Sequence, residues 1–330
     1  MTAGLATALA GATRPETGRP DTVGAVERRS LATLVPLAAE WRRLAARALE
    51  PNVFYEPAFA LAAAPVLGAD VETVLVWSAP PRRLIGLVPL RRERGRYGLP
   101  LPVLTAWTHP YAPLGVPLVD RDAADAVVTA VLDHVATAPD LPKLLLLPFI
   151  PEGPFAAVLA RCLAARGAAI TNFGTHRRAL LVAAGAGPQL SAKRRSELRR
   201  QRRRLEEAGA VAFASASAAA PLAAGLADFF QLEAGGWKGR AGSAAAGHPA
   251  TAEFMQAAVL GLAATGQARV DRLLADGRAV AAGITLMSGD TAWFWKIAYD
   301  ETHARASPGM QIAAAPVSYT HLTLPTIYSV

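Results

Sequence analysis

WFWKIAYDETHARASPGMQ, residues 293–311, is the stretch whose reading decides the fold. Its first seven residues are aromatic and β-favouring. A polar turn follows, and Pro308-Gly309 opens a helix of small residues. A strand that feeds a glycine-containing turn at a helix N-terminus offers free backbone N–H groups and the positive end of a helix dipole, which suits a pyrophosphate. Arg305 can pair a phosphate in bidentate fashion. Ser307 lies in the turn, Gly309 lets the backbone come close, and Met310 and Gln311 add N–H donors. These five are the candidate cofactor-binding residues.

Working outward, residues 268–275, 278–287 and 291–299 read as three strands. Asp276-Gly277 and Ser288-Gly289-Asp290 between them are hairpin signals. Ahead of this meander come a strand over 211–214 and helices over 221–234 and 251–265. A basic helix over 189–208 precedes them, with Gly209 as its stop. The first half predicts helices over 34–49 and 58–66 and strands over 71–78, 84–91 and 101–107. A Pro-rich loop over 109–118 and a helix over 123–136 with Asp122 as N-cap follow. A strand over 143–149, taken as buried from its Leu run, a helix over 155–166 and a strand over 178–182 complete it. The class is mixed α/β.

At 330 residues, 52% hydrophobic and 18% charged, the chain has material for two domains. The single Cys162 excludes an intrachain disulfide framework and a multi-cysteine metal site, and fits a reducing cytoplasm. No stretch reads as a membrane span or signal peptide; residues 1–26 are expected to be a disordered leader. The net charge is +8. Lys193, Arg194, Arg195, Arg199, Arg200, Arg202, Arg203 and Arg204 face only Glu197 within twelve positions, a local +7 that leaves +1 for the rest. This is one cationic feature on a neutral body, unlike a diffuse nucleic-acid-binding face. Residues 318–330, SYTHLTLPTIYSV, contain no Ala, Gly, Lys, Arg, Asp or Glu and read as a foreign extension joined to a truncated gene.

The order of elements in the second half resembles the GNAT acyltransferase fold. Three blocks narrow the likeness: LSAKRRSELRRQRRRLEEAGAV (190–211), FFQLEAGGWKGRAGSA (229–244) and FWKIAYDETHARASPGMQ (294–311) resemble the CelD/BcsL-type acetyltransferases of cellulose and exopolysaccharide pathways. The resemblance implies tandem GNAT-like modules, akin to Fem-type transferases, with mixed, mostly antiparallel sheets flanked by helices. Residues 27–185 would form the first module and 186–317, truncated, the catalytic second. It also implies acetyl-CoA as co-substrate, no metal, direct transfer to an amine or hydroxyl of a saccharide acceptor, and a cytoplasmic location. The fit to the GNAT cofactor signature is loose: Gly309 stands one position further from Arg305 than usual, and Gln311 replaces a small residue.

Thioester aminolysis requires a base for the acceptor, donors for the tetrahedral oxyanion and a route for the thiolate to leave. Backbone N–H groups of residues 293–299 are candidate oxyanion donors. Glu233 and Asp300 are the candidate bases, with His303 a third option; Asp300 equally suits a turn start and Glu233 a solvated helix. Lys296, a charge inside an aromatic run, is expected to contact substrate or oxyanion, or else to snorkel at an edge. Simple alternation groups it with Phe294 and Ala298, opposite Trp293, Trp295 and Ile297. Tyr299 is a candidate proton donor to the thiolate. Residues 235–240, with Trp237, Lys238 and Arg240, read as a mobile acceptor loop or as a helix cap with a buried Trp. On the basic helix, Arg195, Arg199 and Arg202 share one face and suit an anionic acceptor, while Leu198 and Leu205 mark the packed side. Two rivals stay open: a Fem-type transferase using aminoacyl-tRNA, and a non-catalytic binding module.

Overall fold

The computed structural model describes residues 22–95, 98, 100–175, 180–181, 191–207, 209–319 and 327–329. The first half contains β1 (Val23–Ser30), a 3-10 turn (Leu31–Leu37), α1 (Ala38–Arg47), α2 (Pro57–Leu67), β2 (Val71–Ser78), β3 (Leu84–Glu93) and β4 (Val103–Ala106). It continues with β5 (Leu118–Val119), α3 (Ala124–Thr137), β6 (Leu144–Leu146), α4 (Pro154–Ala165) and β7 (Leu180–Leu181). The second half contains α5 (Ala192–Glu206), β8 (Val211–Ala216), α6 (Ala219–Gly235), α7 (Trp237–Arg240), α8 (Pro249–Ala263) and β9 (Ala268–Ala275). β10 (Arg278–Ser288), β11 (Thr291–Tyr299), a 3-10 turn (Glu301–Ala306), α9 (Pro308–Tyr319) and β12 (Ile327–Ser329) close the chain.

Two sheets result, ordered β1-β2-β3-β4-β6, with β5 on β3, and β7-β12-β11-β10-β9-β8. Among the described residues, only β4–β6 and β11–β12 pair in parallel. Each half therefore runs strand, two long helices, three antiparallel strands, helix, and a strand returning parallel to the last of the three. The second meander forms where its turn residues direct it: Asp276 and Gly277 both have positive φ (45° and 77°), as a two-residue type I′ hairpin requires.

One buried cluster runs through both halves. α2 lies against α8, where a Cβ on Gly261 would stand 3.1 Å from the Ala58 Cβ. Phe54 meets Trp293 and Phe59 meets both Phe254 and Trp295 edge-on, at 5.2, 5.4 and 5.6 Å between ring centroids. Ser288 donates its hydroxyl to the buried Glu56 carboxylate at 2.8 Å. A second, smaller cluster of Leu205, Leu273, Val280, Ala281 and Ile312 fills the opposite face of the second sheet, beneath α5 and α9.

Four expectations need correction. β1 starts at Val23, inside the segment read as leader, whose first 21 residues lie outside the described set. Its signal is hidden because the strand is held by polar contacts: Arg28 pairs with Glu72 and Asp140, and Glu27 accepts from the Trp77 indole. β6 is a sheet edge with Leu144 49% exposed, not a buried strand; the Leu run packs inward only through Leu145 and Leu147. The α3 N-cap is Ala123, while Asp122 donates its N–H to Asp120. The helix expected over 34–49 begins only at Ala38, because the residues before it, Pro36 among them, form the 3-10 turn. Most of residues 318–330, the segment expected to be foreign, lies outside the described residues; of the rest, Ile327–Ser329 pair with Ala292–Phe294.

Candidate active site

β11 organises the site, and a β-bulge decides which way its side chains point. Ile284 pairs with Lys296 and Thr285 with Phe294, so Trp295 has no opposite number. The extra residue breaks the two-residue period. Trp293, Trp295 and Ala298 join the large cluster, while Phe294, Ile297 and Tyr299 pack on the small one. Lys296 thus shares a face with Trp295 as well as Ala298, and Phe294 lies opposite. That corrects the grouping expected from alternation. The parallel pairing with β12 covers only Ala292–Phe294. Among the described residues, the strand edge beyond the bulge, 295–299, has no partner on that side.

On the α6 face, side chains from both halves converge. The Lys296 ammonium sits 4.5 Å from the Tyr111 ring centroid and 5.9 Å from that of Trp295. The Trp295 indole donates to the Tyr111 carbonyl at 2.8 Å, fixing the 109–111 loop of the first half against β11 of the second. Glu233 on α6 is 6% exposed, not a solvated helix residue. It accepts from the Lys238 ammonium at 2.7 Å and the Ala245 N–H at 2.9 Å. Burial and then the Lys238 ammonium push the Lys296 pKa down to about 8, against the opposing pull of Glu233. Burial chiefly, then Arg91 and Lys296, drive His109 down to about 3, so it is neutral at pH 7. Its Nδ1 accepts the Tyr111 N–H at 3.3 Å, which leaves the proton on Nε2. Burial and the Glu233 charge raise Tyr111.

The 235–240 segment is helical for the most part, with Gly235 ending α6. Trp237–Arg240 form α7, whose Trp237 N–H and Arg240 guanidinium grip the two oxygens of Glu301 at 2.7 and 2.5 Å. Trp237 is 57% exposed, not buried. Gly239 is required by contact: a Cβ there would stand 1.8 Å from the Ala234 carbonyl oxygen, which is backbone and cannot give way. Gly239→Ala is therefore expected to destabilise the fold by about 2–3 kcal/mol. Urea unfolding midpoints check this; an unchanged midpoint would mean that α7 is not held as described.

The other face carries the cradle. Ser307 is left-handed (φ 48°) and joins the 3-10 turn to α9, with Pro308 as first helical residue. Its N–H donates to the Ala304 carbonyl, and the N–H groups of Met310 and Gln311 both return to the Ser307 carbonyl. The latter two are consumed in starting the helix, which corrects their expected role as donors. Among the described residues no partner holds the Gly309 N–H, the Ser307 hydroxyl or the Arg305 guanidinium, and these are the donors that remain. Gly309 also lets α9 lie close to β11, since a Cβ would come within 3.2 Å of Tyr299 and 3.3 Å of Ile297. The Gln311 amide donates to the Ala306 carbonyl. The C-terminal end of α5 abuts the same turn, with Arg204 donating to the Arg305 carbonyl at 3.5 Å.

The candidate residues divide accordingly. Glu233, Lys238 and Lys296 come together on the α6 face, with Trp237 on adjoining α7. Tyr299 lies on the cradle face. Asp300 caps the 3-10 turn, its Oδ1 accepting from the N–H and hydroxyl of Thr302. Burial works to raise its pKa, but those hydrogen bonds prevail and hold it low, the wrong direction for a base. Arg195 and Arg199 are exposed on α5, across the sheet from Lys238, so the four expected substrate contacts do not form one site. Arg202 turns instead to Glu206 and the Val211 carbonyl. His109 and Tyr111 were missed as site residues, being about 180 positions away in a loop notable only for its prolines.

Residues 192–315 match a family model described as an acetyltransferase (GNAT) domain. No curated protein matches the chain in sequence. Among solved structures, FemX is similar at 10% identity over 88% of this chain and 86% of its own, with a TM-score of 0.50. A conserved protein of unknown function from Bacteroides thetaiotaomicron is similar at 12% identity over 92% and 90%, TM-score 0.53. The C-terminal domain of a protein described as a lysylphosphatidylglycerol synthetase from Agrobacterium fabrum is similar at 14% over 88% and 77%, TM-score 0.52. These likenesses concern the fold. The family match itself is confined to residues 192–315, which carry a GNAT-type acetyltransferase domain. Among the described residues no group of three or more His, Cys, Asp or Glu side chains could hold a metal ion, and no helix is long and apolar enough to cross a membrane.

Proposed function

We propose that this acyltransferase moves an acetyl group from acetyl-CoA directly to an amine or hydroxyl, with donor and acceptor approaching β11 from opposite faces. The observation that carries the reading is the bulged strand itself. One face leads to the cradle of Arg305, Ser307 and Gly309 beside Arg204; the other leads to Glu233, Lys238 and Lys296. The diphosphate of the donor sits on the cradle, where backbone N–H, guanidinium and helix dipole all favour negative charge. The pantetheine arm follows the strand edge beyond Trp295. Unpaired N–H groups there receive the oxyanion as the acceptor attacks the thioester carbonyl. Glu233 takes the acceptor proton, directly or through a water, and the thiolate leaves on the Tyr299 side. The CelD/BcsL-like blocks favour a saccharide acceptor of an exopolysaccharide pathway and a cytoplasmic enzyme.

Acetyl-CoA at a hundredfold excess over its Kd is expected to stabilise the protein by about 2.7 kcal/mol, several degrees in thermal midpoint. Arg305→Ala is expected to weaken binding about tenfold, the scale of one charge-assisted contact. No midpoint shift at millimolar acetyl-CoA would sink the reading.

One observation favours a second donor class. The basic α5 ends at the cradle, so a donor attached to a polyanion, such as an aminoacyl-tRNA, would find continuous positive charge. Salt-sensitive tRNA binding together with silence toward acetyl-CoA selects that donor.

A further inference from the structure

We infer that the acceptor carries an anionic group, a carboxylate or a phosphate, and that Lys296 and Lys238 hold it beside the Tyr111 ring. Calling the bound molecule the acceptor depends on the function proposed above; the anion subsite does not.

Among the described residues the Lys296 ammonium donates to no oxygen and pairs with no carboxylate. Its contacts are ring faces, Tyr111 at 4.5 Å and Trp295 at 5.9 Å. An ammonium withdrawn from water ordinarily recovers the lost hydration from carboxylates or carbonyls. The cation–π contact replaces part of it and leaves three N–H donors unspent. Glu233 does not meet them: its carboxylate takes the Lys238 ammonium at 2.7 Å and the Ala245 N–H at 2.9 Å and makes no ion pair with Lys296. Lys238, Lys296 and Glu233 together leave one uncompensated positive charge where the 109–111 loop of the first half meets β11 of the second.

Among the described residues, nothing else facing Lys296 cancels that charge. His109 and Tyr111, from the first half, are both neutral at pH 7. Trp295, from β11, is apolar apart from an indole N–H already given to the Tyr111 carbonyl. Burial first and the Lys238 charge second push Lys296 down to about 8, and the Glu233 carboxylate offsets them only in part. A bound oxyanion would satisfy its N–H donors and reverse that shift. A neutral acceptor would leave the charge exposed to low dielectric, so the subsite also selects against neutral analogues. The charge is on the α6 face, whereas the donor phosphates belong to the cradle on the α9 face, so the two anion sites are separated by the sheet.

The chain has four lysines, Lys143, Lys193, Lys238 and Lys296, which makes each observable. Reductive 13C-methylation keeps the charge and gives every lysine its own NMR signal, assigned with single Lys→Arg variants. The full chain is titrated with inorganic phosphate and, separately, with acetate, using sodium chloride to match ionic strength. The Lys296 signal is expected to move saturably, its titration midpoint rising by one unit or more, with Lys238 moving in step. Lys143, tied to the Val135 and Ala138 carbonyls, and Lys193 on α5 should follow ionic strength only. Lys296→Met should abolish the Lys238 response. Phosphate active and acetate inactive selects a phosphorylated acceptor, and the reverse a carboxylated one. The response should survive saturating acetyl-CoA. A silent Lys296 overturns the subsite, as does a response that acetyl-CoA displaces, since the anion would then occupy the donor channel. An intact Lys296 response with no acetyl-CoA binding would instead fault the function proposed above.

Discussion

Glu233→Gln is expected to lower kcat for acyl transfer by about a hundred- to a thousandfold, the usual contribution of a positioned general base. The amide keeps the shape of the carboxylate and can still accept the Ala245 N–H, so the fold should survive. What it lacks is basicity. KM for acetyl-CoA should change little, because the cradle lies on the other face of β11. Two roles need separating, since Glu233 also anchors Lys238 at 2.7 Å. Lys238→Met removes that partner and keeps the carboxylate, and is expected to raise the acceptor KM with a smaller effect on kcat. Steady-state kinetics with the two substrates varied independently distinguishes them. A loss of kcat within threefold for Glu233→Gln would remove it from the chemistry.

The sequence carried the second meander and the position of the cradle, because both are local. Asp276-Gly277 needs only its own φ preferences to turn the chain, and Ser307-Pro308 needs only its neighbours to start a helix. The cradle's donors were less legible. Which N–H groups stay free depends on the Ser307 carbonyl accepting from both Met310 and Gln311, a detail of turn geometry that no residue type announces. Lys296 was visible as a charge in an aromatic run, but its direction was not. Period-two alternation assumes an unbroken ladder, and the bulge at Trp295 breaks it. The largest omission is non-local. Tyr111 reaches Lys296 only because two topologically equivalent halves share one core, so the loop after β4 of the first half lies against β11 of the second. A chemistry-bearing Tyr in a Pro-rich loop has no sequence signal until that pairing is known.

The same loop sets the acid limit of the fold, and His109→Phe should flatten it. The ordinary pKa of His, about 6.5, applies once the chain unfolds, while the folded state holds His109 at about 3. Between those values the unfolded chain binds more protons, so stability rises with pH through this window. The contribution of a neutral His109 is therefore complete above pH 6.5 and is lost as pH falls toward 3. Its ceiling is about 5 kcal/mol, from roughly 3.5 units at about 1.4 kcal/mol each. The cause is burial among Trp107, Phe59 and Phe254, reinforced by the Arg91 and Lys296 charges. Phenylalanine fills the same aromatic cage and cannot protonate. The variant loses the hydrogen bond from the Tyr111 N–H, a cost of about 1 kcal/mol at every pH, so it should be the weaker protein at pH 7.5. Below about pH 6 the order should reverse, because only the wild type must then place a charge in that cage. Glu56, raised by burial, titrates in both proteins and cancels in the comparison. Urea unfolding of both at half-unit intervals from pH 4 to 7.5 measures the difference. Parallel curves would mean that His109 is protonated without cost, and that the loop joining the two halves opens to water well above pH 3.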